Sequence, residues 1–145
     1  MSKPVISEEN VRLNAKIDSK EEAIRLAGRI LVDGGYVNEE YITKMFEREE
    51  MTSTFMGNSI AIPHGTEDAK GSVNASGISI LQLAEPIDYG SGNQVQMVFG
   101  IAGQNNEHLD ILSKIAIVCS DEDNIEKMVQ AKSAEELLSL FSEVE

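Results

Sequence analysis

The sequence predicts a single α/β domain, a mixed β-sheet with helices packed on it. Three observations carry that expectation. A two-residue alternation opens the chain, two segments of helical periodicity follow it, and a glycine-punctuated β-like middle gives way to a helical last third. The 145 residues fit one domain of ordinary size, spanning 1–145, with no interdomain linker, internal repeat or low-complexity tract.

Taken in order, Val11, Leu13, Ala15 and Ile17 alternate with Arg12, Asn14 and Lys16, the period of a half-buried strand. Ser19-Lys20-Glu21-Glu22 reads as a capping box, in which the serine hydroxyl and the glutamate carboxylate satisfy backbone N–H groups at a helix start. Ala23, Ile24, Ala27, Ile30 and Leu31 then share one helical face. Gly34-Gly35 ends this helix, because glycine takes a left-handed C-terminal conformation at little cost. Asn38 can cap a second helix with Ile42, Met45 and Phe46 inward, running to Glu50.

In the middle, Ser59–Pro63 is a short strand with Ile60 and Ile62 on one face, and Gly77–Leu83 and Val95–Gly103 are two more. Met97-Val98-Phe99 runs on without alternation, as in a strand covered on both faces. Asp88–Asn93 is a turn or loop. In the last third, Asn105 or Asn106 can cap a helix carrying Leu109, Leu112, Ile115, Ala116 and Cys119 on its apolar side. Asp121 or Asp123 caps a shorter one with Ile125, Met128 and Val129, and Ser133-Ala134-Glu135-Glu136 is a second capping box leading to Leu137, Leu138 and Phe141.

The net charge of −13, from 12 basic and 25 acidic residues, argues against nucleic acid and anionic membranes, which need clustered Lys and Arg. It is compatible with a basic protein partner and equally with solubility alone. The single cysteine, Cys119, rules out an intramolecular disulfide, and two histidines with one cysteine cannot complete a four-ligand zinc site without carboxylates. No metal or cofactor is expected. With no secretory signal, and with apolar runs such as Ile115–Cys119 far too short to span a bilayer, the expected location is the cytoplasm.

Chemistry concentrates in Gly57–Thr66. A short apolar strand stops at Pro63, which fixes its own φ and holds Ile62 extended, and His64 follows at once. Gly65 has no Cβ, so another molecule can approach His64 closely. Imidazole is both nucleophilic and largely neutral near pH 7. By spacing alone His64 is either such a nucleophile or a histidine that hydrogen-bonds in a turn.

Glu47-Arg48-Glu49, followed by Thr54-Phe55-Met56-Gly57-Asn58-Ser59-Ile60-Ala61-Ile62-Pro63-His64-Gly65-Thr66, resembles the EIIA components of the bacterial sugar phosphotransferase system, within the mannitol–fructose class. Asn105-Asn106-Glu107-His108-Leu109-Asp110-Ile111-Leu112 resembles the second signature of the mannitol branch, and the similarity covers essentially the whole chain. The resemblance implies that His64 accepts a phosphoryl group on Nε2 from the histidine of HPr. It then passes the group to a cysteine on an EIIB domain, which phosphorylates the sugar during import. The carrier itself does not bind the sugar.

Two further residues enter on the same footing. By position Arg48 reads as a solvated arginine paired with Glu47, Glu49 and Glu50. The resemblance implies instead a guanidinium that binds the phosphoryl oxygens through two parallel hydrogen bonds, steadied by those glutamates. His108 falls in the first turn of the helix that begins near Asn105, on the edge of its apolar face. By position it reads as a half-buried structural histidine, while the positive end of a helix suits an anion and would make it a supporting residue. Cys119 reads as a small core residue, Asp121–Glu126 lacks the glycine of a calcium loop, and Gly90-Ser91-Gly92 is too short for a phosphate loop. The alternatives are a fructose-type EIIA, which His64-Gly65-Thr66 and Asn105–His108 fit less well, and a regulatory EIIA-like phosphoprotein with no transport role.

Overall fold

The two long central strands carry apolar residues at consecutive positions, so each sends apolar side chains to both faces of one sheet, and each face is roofed by helices. In the computed structural model, which describes residues 5–104 and 107–144, the strands are β1 (Val11–Ala15), β2 (Phe55–Gly57), β3 (Ile60–Ala61), β4 (Gly77–Asp88) and β5 (Gln94–Ala102). They form one five-stranded sheet in the order β1-β4-β5-β3-β2. β1 is parallel to β4 and β3 to β5, whereas β4–β5 and β2–β3 are antiparallel, so the sheet is mixed as predicted.

Helices α1 (Lys20–Asp33) and α2 (Glu40–Met51) cover one face. There Ala27, Ile30, Leu31 and Met45 pack on Leu81 and Leu83 of β4 and Val98 of β5. Helices α3 (Glu107–Cys119), α4 (Glu122–Gln130) and α5 (Ala134–Leu138) cover the other. There Ile111, Ile115, Met128 and Leu137 meet Ile78 and Ile80 of β4 and Met97, Phe99 and Ile101 of β5. Met97, Val98 and Phe99 are fully buried, which is the double coverage their unbroken apolar run implied.

Local signals for α1 hold. Ser19 Oγ accepts from the Glu22 amide at 3.2 Å, and the Glu22 carboxylate accepts from the Asp18 amide at 2.8 Å, one residue ahead of the usual reciprocal partner. At the other end Gly35 has φ +81°, the Tyr36 amide donates to Leu31 O at 2.9 Å and the Gly35 amide to Val32 O at 3.0 Å, a Schellman closure. Asp121 caps α4 and Ser133 caps α5, each accepting from a first-turn amide, at 2.9 and 3.0 Å.

Four elements differ from expectation. Asn38 does not cap α2 with its side chain. Glu39 precedes the helix in helical conformation with no side-chain cap, and Asn38 contributes only its backbone, accepting from the Tyr41 amide at 3.1 Å. β2 is an unpredicted strand, turned back onto β3 by Asn58 (φ 49°) and Ser59 (φ 67°), the two positive φ values of a tight hairpin. β4 runs past Leu83 to Asp88. Pro86, which has no N–H to give a neighbour, falls where the β4–β5 register shifts between Gln82 and Ile87. In α3 the buried face is Ile111, Ile115, Val118 and Cys119, so Ala116 is exposed and Leu109, expected inward, is 60% exposed. The expected caps Asn105 and Asn106 lie outside the described residues. Among the described residues no helix is long and apolar enough to cross a membrane.

Candidate functional site

Beyond β3 the chain keeps running alongside β5. The Ile62 amide donates to Thr54 O at 3.0 Å, the Ile101 amide donates to Pro63 O at 3.0 Å, and His64 forms a parallel bridge with Ile101. Half-buried His64 therefore stands at the C-terminal edge of the parallel pair β3–β5, the edge at which α/β sheets offer a crevice. Its Nδ1 lies 2.8 Å from the carbonyl oxygen of Ile62. A carbonyl oxygen can only accept, so Nδ1 carries a proton, and in the neutral ring the lone pair resides on Nε2.

Gly65 is needed for a reason other than the approach of a second molecule. A Cβ there would lie 2.6 Å from Cε1 of Tyr41 and 3.2 Å from Cβ of Ala69, so the space is filled from within. The Tyr41 hydroxyl accepts from the Gly65 amide at 2.9 Å and donates to Ile101 O at 2.6 Å. Burial pushes this hydroxyl up to about 12, against the smaller lowering effect of the Gly65 hydrogen bond, so it stays neutral and does both at once. The only sequence signal for Tyr41 was its spacing four residues before Met45 on the inward side of α2.

Arg48 follows Tyr41 by seven residues, about two turns, and so lies on the same side of α2. It is half-buried, and its Nη1 donates to Thr52 O at 2.7 Å. The neighbouring glutamates are engaged elsewhere. Glu47 is 3.7 Å from Lys44 Nζ. Glu49 turns inward, accepting from the Thr54 amide at 2.8 Å, the Thr54 hydroxyl at 2.6 Å and the Tyr89 hydroxyl at 3.2 Å, with Lys20 Nζ 3.1 Å away. Burial alone would raise the Glu49 carboxyl, but the hydrogen bonds from Thr54 and Lys20 bring it below its ordinary value. This cluster holds Thr54, whose carbonyl in turn receives the Ile62 amide, so Glu49 braces the strand that leads to His64. Nothing in the run Glu47–Glu50 singled out Glu49 as the buried member.

α3 starts five residues after β5 ends, at the same edge as His64. Its start is tied down by Ser76, whose hydroxyl accepts from the Gln104 amide at 3.0 Å and donates to the Glu107 carboxylate. His108 is in the first turn of α3, and its side chain lies outside the described residues. The fold thus brings His64 and the positive end of α3 to the end of one strand, with Arg48 on the helix that touches the His64 loop. Cys119 is buried on α3 as expected, which pushes its thiol up to about 12. Among the described residues no three His, Cys, Asp or Glu side chains gather as a metal site.

Residues 4–144 match the family described as Phosphoenolpyruvate-dependent sugar phosphotransferase system, EIIA 2. The chain is 64% identical over 140 residues to the mannitol-specific phosphotransferase enzyme IIA component of Bacillus subtilis (strain 168), covering 97% of this chain and 98% of that one. It is 60% identical over 144 residues to the component of the same description from Geobacillus stearothermophilus, covering 99% of each. Among solved structures it is similar to the complex of enzyme IIAMTL and phosphorylated enzyme IIBMTL from Escherichia coli. The TM-score is 0.89 at 40% identity, over 93% of this chain and 95% of that one.

Proposed function

The chain belongs to the EIIA 2 family of the phosphoenolpyruvate-dependent sugar phosphotransferase system, and on that premise we propose that it carries a phosphoryl group on His64 from HPr to the EIIB domain of a mannitol permease. The observation that supports His64 is the 2.8 Å contact of its Nδ1 with Ile62 O, which leaves Nε2 as the nucleophilic nitrogen. Nε2 attacks the phosphorus of phospho-HPr. The new P–N bond forms as the old one breaks, and the donor imidazole leaves with the bonding electron pair and takes up a proton. In the second transfer the EIIB cysteine thiolate attacks, a P–S bond forms, and the electron pair returns to Nε2 of His64.

A phosphoryl group on a ring nitrogen stays activated, so both transfers run with little net free-energy change. The work of the protein is positioning and charge stabilisation. Arg48 supplies the guanidinium for the phosphoryl oxygens, and the first turn of α3, with His108, supplies the positive helix end and a supporting donor. The exchange takes place in the cytoplasm. Mannitol as the sugar is supported by the 64% identity to the Bacillus subtilis component, and EIIB as the acceptor by the likeness to enzyme IIAMTL, solved with phosphorylated IIBMTL. The carrier does not bind the sugar, so the choice of sugar resides in the permease.

Incubation with phosphoenolpyruvate, enzyme I and HPr tests the acceptor. One acid-labile, base-stable phosphate should appear on His64, and His64→Ala should abolish it with an unchanged circular dichroism spectrum. Undiminished labelling of that variant overturns the assignment. Discharge of the label by mannitol with membranes bearing a mannitol permease, and not by fructose with a fructose permease, tests the sugar.

A further inference from the structure

We infer that Tyr41 is a positioning residue for phosphoryl transfer at His64, its hydroxyl tying the peptide that follows His64 to the strand residue that His64 bridges. The inference rests on His64 being the acceptor. The peptide before His64 is fixed to β5 directly, through the Ile101 amide and Pro63 O at 3.0 Å. The peptide after it is fixed to the same residue through Tyr41, from the Gly65 amide to the hydroxyl at 2.9 Å and on to Ile101 O at 2.6 Å. Both flanks of His64 therefore refer to Ile101, its partner in the parallel bridge. With the backbone set on both sides and Nδ1 held at Ile62 O, the position of Nε2 is decided within a narrow range.

The tyrosine suits this task in three ways. It is 4% exposed, so its hydroxyl bonds are shielded from competing water. Its raised pKa keeps the hydroxyl neutral through the working pH range, so the relay of one accepted and one donated bond persists. Its ring fills the space under Gly65, where a Cβ would meet Cε1 at 2.6 Å, so the loop is supported by contact as well as by hydrogen bonding. Tyr41 acts on His64 through the backbone, by way of the Gly65 amide and Ile101 O. Its loss should therefore appear in the transfer step rather than in partner docking, since a misplacement of about 1 Å can cost on the order of 100-fold in rate.

The test is Tyr41→Phe, which keeps the ring and removes the relay. Rapid-quench transfer from phospho-HPr is measured over a range of donor concentrations, and rates are divided by the native fraction taken from the thermal unfolding curve. The expected result is a kcat lowered by about 10- to 100-fold with KM for phospho-HPr changed by less than about twofold. A tyrosine that only stabilised the fold would lower the melting temperature and leave kcat per native molecule unchanged, and that result overturns the inference. Gly65→Ala provides a second approach, pushing the loop off the ring while the hydroxyl remains. The same kcat-selective loss is expected, and a wild-type kcat counts against the inference. His64→Ala run alongside separates the two readings. Labelling of that variant overturns the acceptor assignment itself, whereas a silent His64→Ala with a fully active Tyr41→Phe overturns only the role of Tyr41.

Discussion

Arg48 donates from Nη1 to the carbonyl oxygen of Thr52 at 2.7 Å, so its guanidinium is steadied by the backbone that leaves its own helix and not by the glutamates beside it. A guanidinium anchored by one N–H keeps further donors in a planar fork. Arg48→Lys should therefore slow phosphoryl transfer in both directions by about 10-fold or more, because a single ammonium cannot reproduce the planar pairing. Stability should change by less than about 0.5 kcal/mol, since only one surface-side bond to a backbone carbonyl is lost. Rapid-quench kinetics and a urea titration measure the two quantities. Wild-type rates in both directions would remove Arg48 from the site.

His108 lies in the first turn of a helix whose start is held by Ser76 through Gln104 and Glu107, so removing the imidazole should leave α3 in place. His108→Ala should still be labelled on His64, and its circular dichroism spectrum should match the wild type. Onward transfer to the EIIB cysteine should slow by about 10- to 1,000-fold, the upper part of that span being the loss caused by removing one charge-stabilising donor. Normal onward transfer would show that the helix end suffices without His108.

Glu49 accepts hydrogen bonds from Thr54 and Tyr89 and pairs with Lys20, with 5% of its side chain exposed. Its carboxyl titrates below the ordinary value of 4.5 in the folded protein. A group with a lowered folded pKa contributes fully above its unfolded pKa, and that contribution fades as pH falls through the folded value. Glu49→Gln should cost about 2 kcal/mol at pH 7, and the penalty should shrink as pH drops below 4.5. Urea midpoints of the two proteins from pH 7 to pH 3 measure it. A difference that stays constant with pH would show that the carboxylate charge contributes nothing.

Cys119 is 3% exposed on α3, and burial pushes its thiol up to about 12. Neither thiolate character nor access favours reaction. The native protein should show no reactive thiol toward a disulfide reagent at pH 8, and one equivalent should appear in denaturant. Rapid modification of the native protein would contradict the packing of α3 on the sheet.

The parts of the fold that were legible are those decided within a few residues. The capping serines and Asp121 act on amides two or three residues away, the Gly34-Gly35 stop acts on the turn before it, and the apolar face of α1 repeats at the helical period. The hairpin of β2 and β3 had a usable signal in Asn58, a residue that tolerates positive φ, but a strand of three residues has no alternation to read. Leu109 was misplaced because the hydrophobic pattern of α3 allows more than one rotation about the helix axis. The sheet, through Ile78, Phe99 and Ile101, selects the one that turns Ile111 and Ile115 inward.

The formation of one mixed α/β domain and the place of His64 at the end of a short apolar strand follow from short-range stereochemistry and the period of the apolar residues, both readable along the chain. The surroundings of that histidine are set by long-range packing. Tyr41 reaches Ile101 across 60 positions of sequence, and Tyr89 reaches Glu49 across 40. Such pairs are set by strand order, β5 lying between β4 and β3, and by the helix rotations that follow from burial. A hydrogen bond between distant residues exists only after packing has placed donor and acceptor together, and no local pattern of residue types encodes that meeting.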